Sequence, residues 1–385
     1  MTQAEPPALG LYVHWPYCAR ICPYCDFNVY RARGREAEVE ALVAAILADM
    51  ETQAALTGPR KLVSIFFGGG TPSLAPPDAV AEIIAAARRL WRPDPALEVT
   101  LEANPTDAEA ARYGAFAQAG VNRLSLGVQS FDDAALRFLG RDHDAGAATR
   151  ALALAGRLFP RLSLDLIYAR PDQTLAQWRD ELSRALDAGA EHISPYQLTI
   201  EPGTAFDRAV RRGRLVPPAD DLAAALFEET QAVLEGAGFE AYEVSNHARG
   251  PAARSRHNLV YWQGEDYVGV GPGAHGRLTL RGLRHATEAL ARPADYTARV
   301  AESGAGYGVL EHLDPVARAE ERVLSGLRIA PGVPFAELAA LSLDPKAARV
   351  QELVALGLLA EDPARLRATA GGRLVLDEVI RRLLV

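Results

Sequence analysis

The chain has little cysteine, almost no lysine and no long hydrophobic run, and each shortage excludes a class of protein. Only three of its 385 residues are cysteine, and all three lie between Cys18 and Cys25. An odd, clustered set of thiols argues against a disulfide framework. Lysine occurs only at Lys61 and Lys346, and the formal net charge is −8. We therefore expect no broad basic face and no nucleic-acid partner.

The sequence shows no targeting signal or membrane segment that we would expect to recognise. No stretch of about 18 apolar residues is present, so we expect no transmembrane helix. The first ten residues show no cationic region followed by an apolar one. We therefore expect a cytoplasmic protein, and the composition leaves a peripheral membrane association open. With 49% hydrophobic residues, a chain of this length can bury a large core without disulfides or metal.

Apolar, β-branched runs alternate with amphipathic stretches over the first 240 residues. Strands are predicted at 11–15, 62–67, 97–102, 123–129, 162–168 and 192–198. Helices are predicted at 36–54, 77–90, 106–119, 145–158 and 174–188. This alternation indicates βα units and a parallel sheet, hence an α/β fold. Six units favour a partial (β/α)6 barrel of the TIM type, although an open doubly wound sheet would give the same pattern. In a barrel, the chemistry collects at the carboxyl ends of the strands.

The sequence character divides the chain into three predicted domains. Residues 1–240 form the partial barrel, 241–313 a connecting segment rich in glycine, histidine and aromatics, and 314–385 a C-terminal domain. In the last domain, helices are predicted at 316–326, 334–341, 346–356 and 377–384. A hairpin at 358–376, turning at Gly371 and Gly372, is predicted before the final helix. Helices followed by a small hairpin are typical of a winged-helix-like region, and the acidic balance favours packing or partner binding over DNA binding.

The three cysteines follow the first predicted strand with the spacing C-x3-C-x2-C, at Cys18, Cys22 and Cys25. Iron–sulfur clusters are held by cysteine thiolates, usually four of them. Three cysteines would leave one iron open to another ligand. The alternative is a structural zinc site, which takes four ligands and would need His14 as the fourth. The spacing favours the cluster.

The segment YVHWPYCARICPYC resembles the signature of the radical S-adenosylmethionine (SAM) superfamily. This resemblance implies that Cys18, Cys22 and Cys25 bind a [4Fe–4S] cluster whose open iron is chelated by SAM. It also implies that an electron donor reduces the cluster. The reduced cluster would then cleave SAM and release a 5′-deoxyadenosyl radical. From about residue 10 to 384, the chain is similar to the oxygen-independent coproporphyrinogen III oxidases and, more closely, to the HemW heme chaperones.

Residues at or near the ends of the predicted strands match SAM contacts of the superfamily. The sequence GGGTP at 68–72 resembles the loop that meets the SAM amino group. Each residue alone is compatible with an ordinary turn, polar or core position, but their common placement favours one site. No catalytic residue is identified. The resemblance implies SAM contacts at Gly69, Gly70, Thr71, Glu102, Gln129, Arg141 and Asp165, with Tyr12 and Tyr24 beside the cofactor.

The sequence at 257–262, HNLVYW, resembles the HNxxYW motif of HemW proteins, which is implicated in heme binding. An imidazole can ligate heme iron, and aromatic rings can pack on a porphyrin. The resemblance implies heme contacts at His257, Asn258, Tyr261 and Trp262. The alternative is a core histidine beside a buried Tyr–Trp pair. His275 is a second candidate ligand, although a structural histidine is more common in such a glycine-rich turn.

Three functions follow from these resemblances. The first is a heme chaperone of radical SAM type, which binds heme and transfers it to apo-hemoproteins. The second is anaerobic oxidative decarboxylation of coproporphyrinogen III to protoporphyrinogen IX. The oxidases carry a fourth cysteine two residues after the third, where this chain has Phe27, and this difference tells against the second function. The third is a cluster-bearing interaction protein that never cleaves SAM. The sequence favours the first function and leaves open whether the protein is an enzyme.

Overall fold

The computed structural model describes residues 8–385 and is built around an open sheet of twelve strands. The strands are β1 (Ala8–Trp15), β2 (Lys61–Gly69), β3 (Arg92–Ala103), β4 (Arg123–Gln129), β5 (Arg161–Tyr168), β6 (His192–Gln197), β7 (Glu240–Glu243), β8 (Asn246–Ala248), β9 (Asp266–Val270), β10 (His275–Leu280), β11 (Leu283–Ala289) and β12 (Tyr307–His312). Their spatial order is β12-β11-β10-β9-β1-β2-β3-β4-β5-β6-β8-β7.

The centre of the sheet is parallel and its two margins are antiparallel. Strands β1 to β6 pair in chain order, and β9 joins β1 on the other side, all in parallel. Strands β10, β11 and β12 extend one margin and β8 and β7 the other, all antiparallel. This arrangement confirms the predicted α/β fold with an incomplete barrel, because β12 and β7 remain separate edges.

Fifteen α-helices accompany the sheet in the described chain. Those that connect or follow the six barrel strands are α1 (Glu36–Thr57), α2 (Pro77–Leu90), α3 (Asp107–Ala110), α4 (Tyr113–Ala119), α5 (Asp133–Phe138), α6 (Ala145–Leu158), α7 (Leu175–Asp187), α8 (Ala205–Arg211) and α9 (Asp220–Gly236). The later ones are α10 (Arg256–Trp262), α11 (Pro293–Ser303), α12 (Pro315–Gly326), α13 (Ala348–Ala355), α14 (Ala370–Leu374) and α15 (Leu376–Leu384). Local capping fixes several starts; for example, Thr174 and Gln177 form a reciprocal capping box before α7.

Two large hydrophobic cores and two small clusters stabilise these elements in the described residues. The larger core lies between the sheet and helices α1 to α4, α6, α7 and α9, and it also includes Val268, Leu278 and Tyr296 from the segment 241–313. The smaller one is formed by α12 to α15, around residues such as Val323 and Val379. The segment 241–313 thus contributes strands and core residues to the main sheet. The three domain boundaries themselves stay predictions.

The predicted hairpin at 358–376 is wrong. Residues 370–374 are helical (α14), and the Thr369 side chain accepts a hydrogen bond from Gly372 N at the start of this helix. The strand-like pairing nearby is limited to a single antiparallel bridge between Leu359 and Ala368 and a two-residue pairing with Val333–Pro334. A Cβ on Gly372 would lie 1.9 Å from the Leu358 carbonyl oxygen, so this glycine permits close packing and does not form a turn. Similarly, 334–341 forms two short 3-10 turns and 106–119 two helices.

Asp49 on α1 gives the fold a predicted pH dependence. Its carboxylate is buried and accepts a hydrogen bond from Tyr296 Oη at 2.9 Å. Burial raises the pKa of Asp49 from 3.8 to about 6, although hydrogen bonds from Gly306, Tyr296 and Gln53 oppose the shift. A folded-state pKa above the unfolded value contributes stability that is complete below pH ~4 and is lost as the pH rises through ~6.

We therefore expect the free energy of unfolding of the wild type to fall, relative to that of Asp49→Asn, by roughly 1–3 kcal/mol between pH ~4 and ~7. Urea denaturation of both proteins at the two pH values measures this difference. Parallel pH profiles for the two proteins would contradict the assignment.

Candidate functional site

A cavity of about 910 Å³ opens at the carboxyl ends of the parallel strands. We call it the cluster cavity. It brings together the three cysteines and nearly all of the predicted SAM residues, because parallel strands end at one edge of the sheet. Its lining includes Cys18, Cys22, Cys25, Tyr24, Gly69, Gly70, Thr71, Glu102, Gln129, Arg141 and Asp165. Tyr12 lies outside this lining, in a neighbouring cavity.

The cysteine loop, residues 18–25, is anchored at both of its ends. The dipeptide Tyr17–Cys18 pairs in parallel with Tyr30–Arg31. Pro16 O accepts a hydrogen bond from Tyr30 N at 2.7 Å, and Cys18 O accepts one from Ala32 N at 2.9 Å. The intervening chain is thereby closed into a loop that faces the cavity.

The donor set fits a cluster better than a single metal ion. Within residues 8–385, no three histidine, cysteine, aspartate or glutamate side chains are placed to share one metal ion. His14 is buried, with Nδ1 at 3.0 Å from Tyr12 Oη and Nε2 at 2.9 Å from Asn28 O, so it is not available to complete a zinc site. In a cubane cluster, each cysteine binds a different iron, and three thiols on one loop are the donors that such a cluster uses.

The glycine loop after β2 packs directly against the cysteine loop. Gly70 N donates to Trp15 O at 2.7 Å and Thr71 N donates to Tyr17 O at 2.9 Å. A Cβ on Gly70 would lie 2.8 Å from Tyr17 O and 2.9 Å from Trp15 O. Gly69 has a φ of +104° and a Cβ there would meet the His14 ring. The two glycines thus allow a backbone approach that other residues would prevent.

Gly70→Ala is therefore expected to displace the cysteine loop. We expect a loss of about 1–3 kcal/mol in the free energy of unfolding and less cluster after anaerobic reconstitution. Urea denaturation and iron content measure the two effects. Gly114→Ala is the matched control, because a Cβ at this helical position meets no atom within 4 Å. Equal stability and iron content in the two variants would contradict the packing argument.

Two half-buried carboxyl groups, Glu102 and Asp165, face the cavity. Burial raises the pKa of Glu102 to about 8, the charge of Asp165 adds to the rise, and a hydrogen bond from Gly69 N opposes it. Burial also raises the pKa of Asp165 to about 6, against hydrogen bonds from Ser194 and Ser125. Desolvation disfavours the charged form of both carboxyl groups. A bound ligand with a positive charge or hydroxyl donors would stabilise that charged form.

Arg141 connects the cysteine loop to the carboxyl ends of the strands. Its Nη1 donates to Cys22 Sγ at 3.4 Å, and Nη2 donates to Gly127 O at 3.1 Å and to the Asn104 side chain. Its Nε is buried without a hydrogen-bond partner in the described part of the chain. The predicted SAM residue Gln129 has a φ of +65°, a strained conformation that is often found at functional sites. Sequence reasoning missed Asn104, whose only signal was its position two residues after Glu102.

A second cavity of about 790 Å³ adjoins the first. We call it the side cavity. It lies between β1, β9 to β11 and α12. Four residues, Phe27, Gly69, Glu102 and Arg328, line both cavities. Among the residues predicted from sequence, Tyr12, Tyr261 and Trp262 line the side cavity, as does His275.

The HNxxYW segment forms α10, a helix of seven residues capped by Ser255. His257 is 1% exposed, and both of its ring nitrogens are occupied: Nδ1 lies 2.8 Å from Ser64 Oγ and Nε2 lies 2.7 Å from Tyr261 Oη. Burial lowers the pKa of His257 to about 3. His257 and Asn258 are outside the linings of both cavities. In this conformation, neither nitrogen of His257 is free to bind iron, and the heme roles of the two residues stay predictions.

The described chain, residues 8–385, contains no helix with the length and apolar character needed to span a bilayer. The predicted cytoplasmic location and peripheral membrane contact stay predictions.

Comparison with known proteins places this site in a family. The radical SAM superfamily model matches residues 12–185 and the HemN C-terminal domain model matches residues 313–375. The chain is 43% identical to the mouse protein named radical S-adenosyl methionine domain-containing protein 1, mitochondrial, over 97% of this chain and 87% of that protein. It is 36% identical to the heme chaperone HemW of Mycobacterium tuberculosis, over 97% and 94% of the two chains. It is 41% identical to the HemW of Escherichia coli over 71% of each chain.

Among solved structures, the coproporphyrinogen III oxidase HemN from Escherichia coli superposes with a TM-score of 0.80 at 21% identity, over 99% of this chain and 91% of the other. This match shows the fold. Together with the two family models, the sequence relatives establish that the chain belongs to the radical SAM superfamily, in the family that includes the HemW heme chaperones.

Proposed function

We propose that the protein is a heme chaperone of radical SAM type, which binds heme and transfers it to apo-hemoproteins. The observation that carries this proposal is a second, aromatic-lined cavity directly beside the cluster cavity, with Tyr261 and Trp262 of the HNxxYW segment in its wall. Relatives named heme chaperone HemW, 36–41% identical to this chain, support it.

The cluster cavity has the residues needed to hold a [4Fe–4S] cluster and SAM. Cys18, Cys22 and Cys25 would supply the cluster ligands. Gly69, Gly70, Thr71 and the other predicted contacts would surround SAM. If a cluster were held there and reduced by an external electron donor, it would supply one electron to SAM. The chain's own contribution is to bind and orient the cofactor, with the Arg141 cation beside the Cys22 sulfur.

Phe27 separates this proposal from the decarboxylase alternative. It stands where the oxidases carry their fourth cysteine, so this position cannot ligate iron. Its side chain is 63% exposed and lines both cavities. An exposed aromatic ring at the junction of two cavities is suited to contact a flat apolar ligand.

We also propose a separate role for each of the three predicted segments. Residues 1–240 would hold the cluster and SAM, and 241–313 would supply the HNxxYW wall of the side cavity. The segment 314–385 would close this cavity with α12 and offer a surface to the acceptor protein. The Arg277–Glu321 ion pair, with Nη2 and Oε1 at 2.7 Å, connects α12 to β10 across the cavity.

The test is a titration of the anaerobically reconstituted protein with hemin, followed by absorbance and gel filtration. We expect saturable binding and co-elution of heme with the protein. A parallel anaerobic assay with coproporphyrinogen III, SAM and dithionite is expected to give no protoporphyrinogen. Decarboxylation without saturable heme binding would overturn the proposal in favour of the enzyme.

A further inference from the structure

We propose that heme occupies the side cavity, with His275 as its iron ligand and Arg318 as the partner of a propionate. This assignment rests on the proposed function and specifies its binding site. The sequence expectation favoured His257 as the iron ligand and gave His275 as a second candidate.

His275 is the histidine in this cavity with a ring free to bind iron. Along β10, His275, Arg277 and Thr279 line the cavity, whereas the alternate residues Gly276 and Leu278 are buried on the other face. His275 is exposed, and its ring makes no hydrogen bond among residues 8–385. The other histidine in the cavity lining, His14, has both nitrogens engaged.

The turn before His275 is firmly held. Gly271 and Gly273 have φ values of +98° and +78°. Gly271 N donates to Tyr296 Oη at 3.0 Å, and Asn28 Nδ2 donates to Pro272 O at 2.9 Å. Because Asn28 lies three residues after Cys25, this contact also ties the His275 turn to the cysteine loop. A ligand on such a turn is pre-positioned toward the cavity.

Helix α12 supplies the opposite wall and its charge. Arg318, Glu321, Arg322 and Ser325 line the cavity at helical spacing, while Ala319 and Val323 are buried in the smaller core. The four other arginines of the cavity lining all have acidic partners. Arg277 pairs with Glu321 at 2.7 Å and Arg322 with Glu337 at 2.6 Å, and Arg284 and Arg328 pair with Asp266 and Glu243. Arg318 is exposed and makes no ion pair in the described chain. It is therefore a cation available to a ligand carboxylate.

The remaining walls and the size of the cavity suit a porphyrin. Its volume of about 790 Å³ is within the range of small-molecule and cofactor sites. Phe27, Tyr261 and Trp262 provide aromatic surface for a flat macrocycle, and the Arg328 guanidinium lies 4.7 Å from the Trp262 ring centroid. A nitrogen donor, aromatic walls and a free cation match the three chemical features of heme: its iron, its ring and its propionates.

The same titration with variants tests the assignment. We expect His275→Ala to lose the absorbance band of imidazole-ligated heme and to bind hemin at least about tenfold more weakly, with the band restored by added imidazole. His285→Ala on β11 is the matched control, because His285 is outside the cavity lining. We expect the control and His257→Ala to keep the ligation band.

Arg318 is tested by removing the charge of the ligand. We expect Arg318→Ala to weaken hemin binding by about three- to tenfold and to leave the binding of hemin dimethyl ester unchanged. Arg299→Ala on α11 is its control. If wild type binds hemin but His275→Ala keeps the same band and affinity, this assignment is overturned and the proposed function stands. If the wild type binds no hemin, the proposed function fails first.

Discussion

Replacing Cys18 with alanine is expected to abolish cluster assembly. The chain has three cysteines and all of them are in the cysteine loop, so no other thiol can take over. We expect about four iron atoms per chain in the anaerobically reconstituted wild type and close to none in Cys18→Ala. Iron and sulfide analysis, together with visible absorbance, measures this difference. SAM binding should fall as well, because its iron anchor is lost.

Ile21→Ala is the matched control for this experiment. Ile21 lies in the same loop between Cys18 and Cys22, and its side chain is partly exposed. We expect the control to keep its iron and absorbance, which separates the loss of a ligand from a disturbance of the loop. Full iron content in Cys18→Ala would contradict the assignment of the loop as the cluster site.

Glu98→Ala is expected to lower the free energy of unfolding by about 3–5 kcal/mol. The Glu98 carboxylate is buried and accepts hydrogen bonds from Arg161 Nη1 at 2.6 Å and from the backbone N–H groups of Arg256 and His257, both at 3.0 Å. Burial opposes its ionisation, but the charges of Arg123 and Arg161 lower the pKa of Glu98 overall. Alanine would leave the two backbone N–H groups at the start of α10 without a hydrogen-bond acceptor. It would also remove the negative charge that faces the Arg123 and Arg161 side chains.

The control here is Glu191→Ala, which removes the second partner of the same Arg161. Arg161 Nε and Glu191 Oε1 are 3.4 Å apart, and the Glu191 side chain is partly exposed. Such pairs contribute less than about 1 kcal/mol, so the control should unfold almost like the wild type in urea. Similar losses in both variants would contradict the account of how the HNxxYW helix is held on the sheet.

The barrel was predictable from sequence because its signals are local. The strand at 123–129 and the helices at 77–90 and 145–158 have the predicted bounds. Apolar periodicity and the residues at helix ends determine these elements within their own segments. The cysteine spacing likewise predicted the role of the cysteine loop. The ends of the predicted strands identified most of the residues that line the cluster cavity.

The margins of the sheet were not predictable in the same way. Strand β9 pairs with β1, more than 250 residues earlier, and β12 is an edge strand with exposed residues along most of its length. An exposed edge strand lacks the alternation of buried and exposed residues that predicts a strand. The side cavity is lined by residues of β10 and α12, which are separate segments of the chain, so no sequence motif contains it. For this reason, the motif pointed to His257, whereas the structure shows His275 in the cavity.

The central claim is that heme passes from this protein to an acceptor, and transfer itself is the most direct measurement. Heme-loaded, reconstituted protein is mixed with an apo-hemoprotein, and the acceptor's absorbance is followed in time. The initial rate of transfer is measured over a range of acceptor concentrations. We expect a rate that rises with the acceptor concentration, because transfer within a complex requires contact between the two proteins. A rate that stays constant and equals the rate of spontaneous heme dissociation would show passive heme release and would contradict a chaperone function.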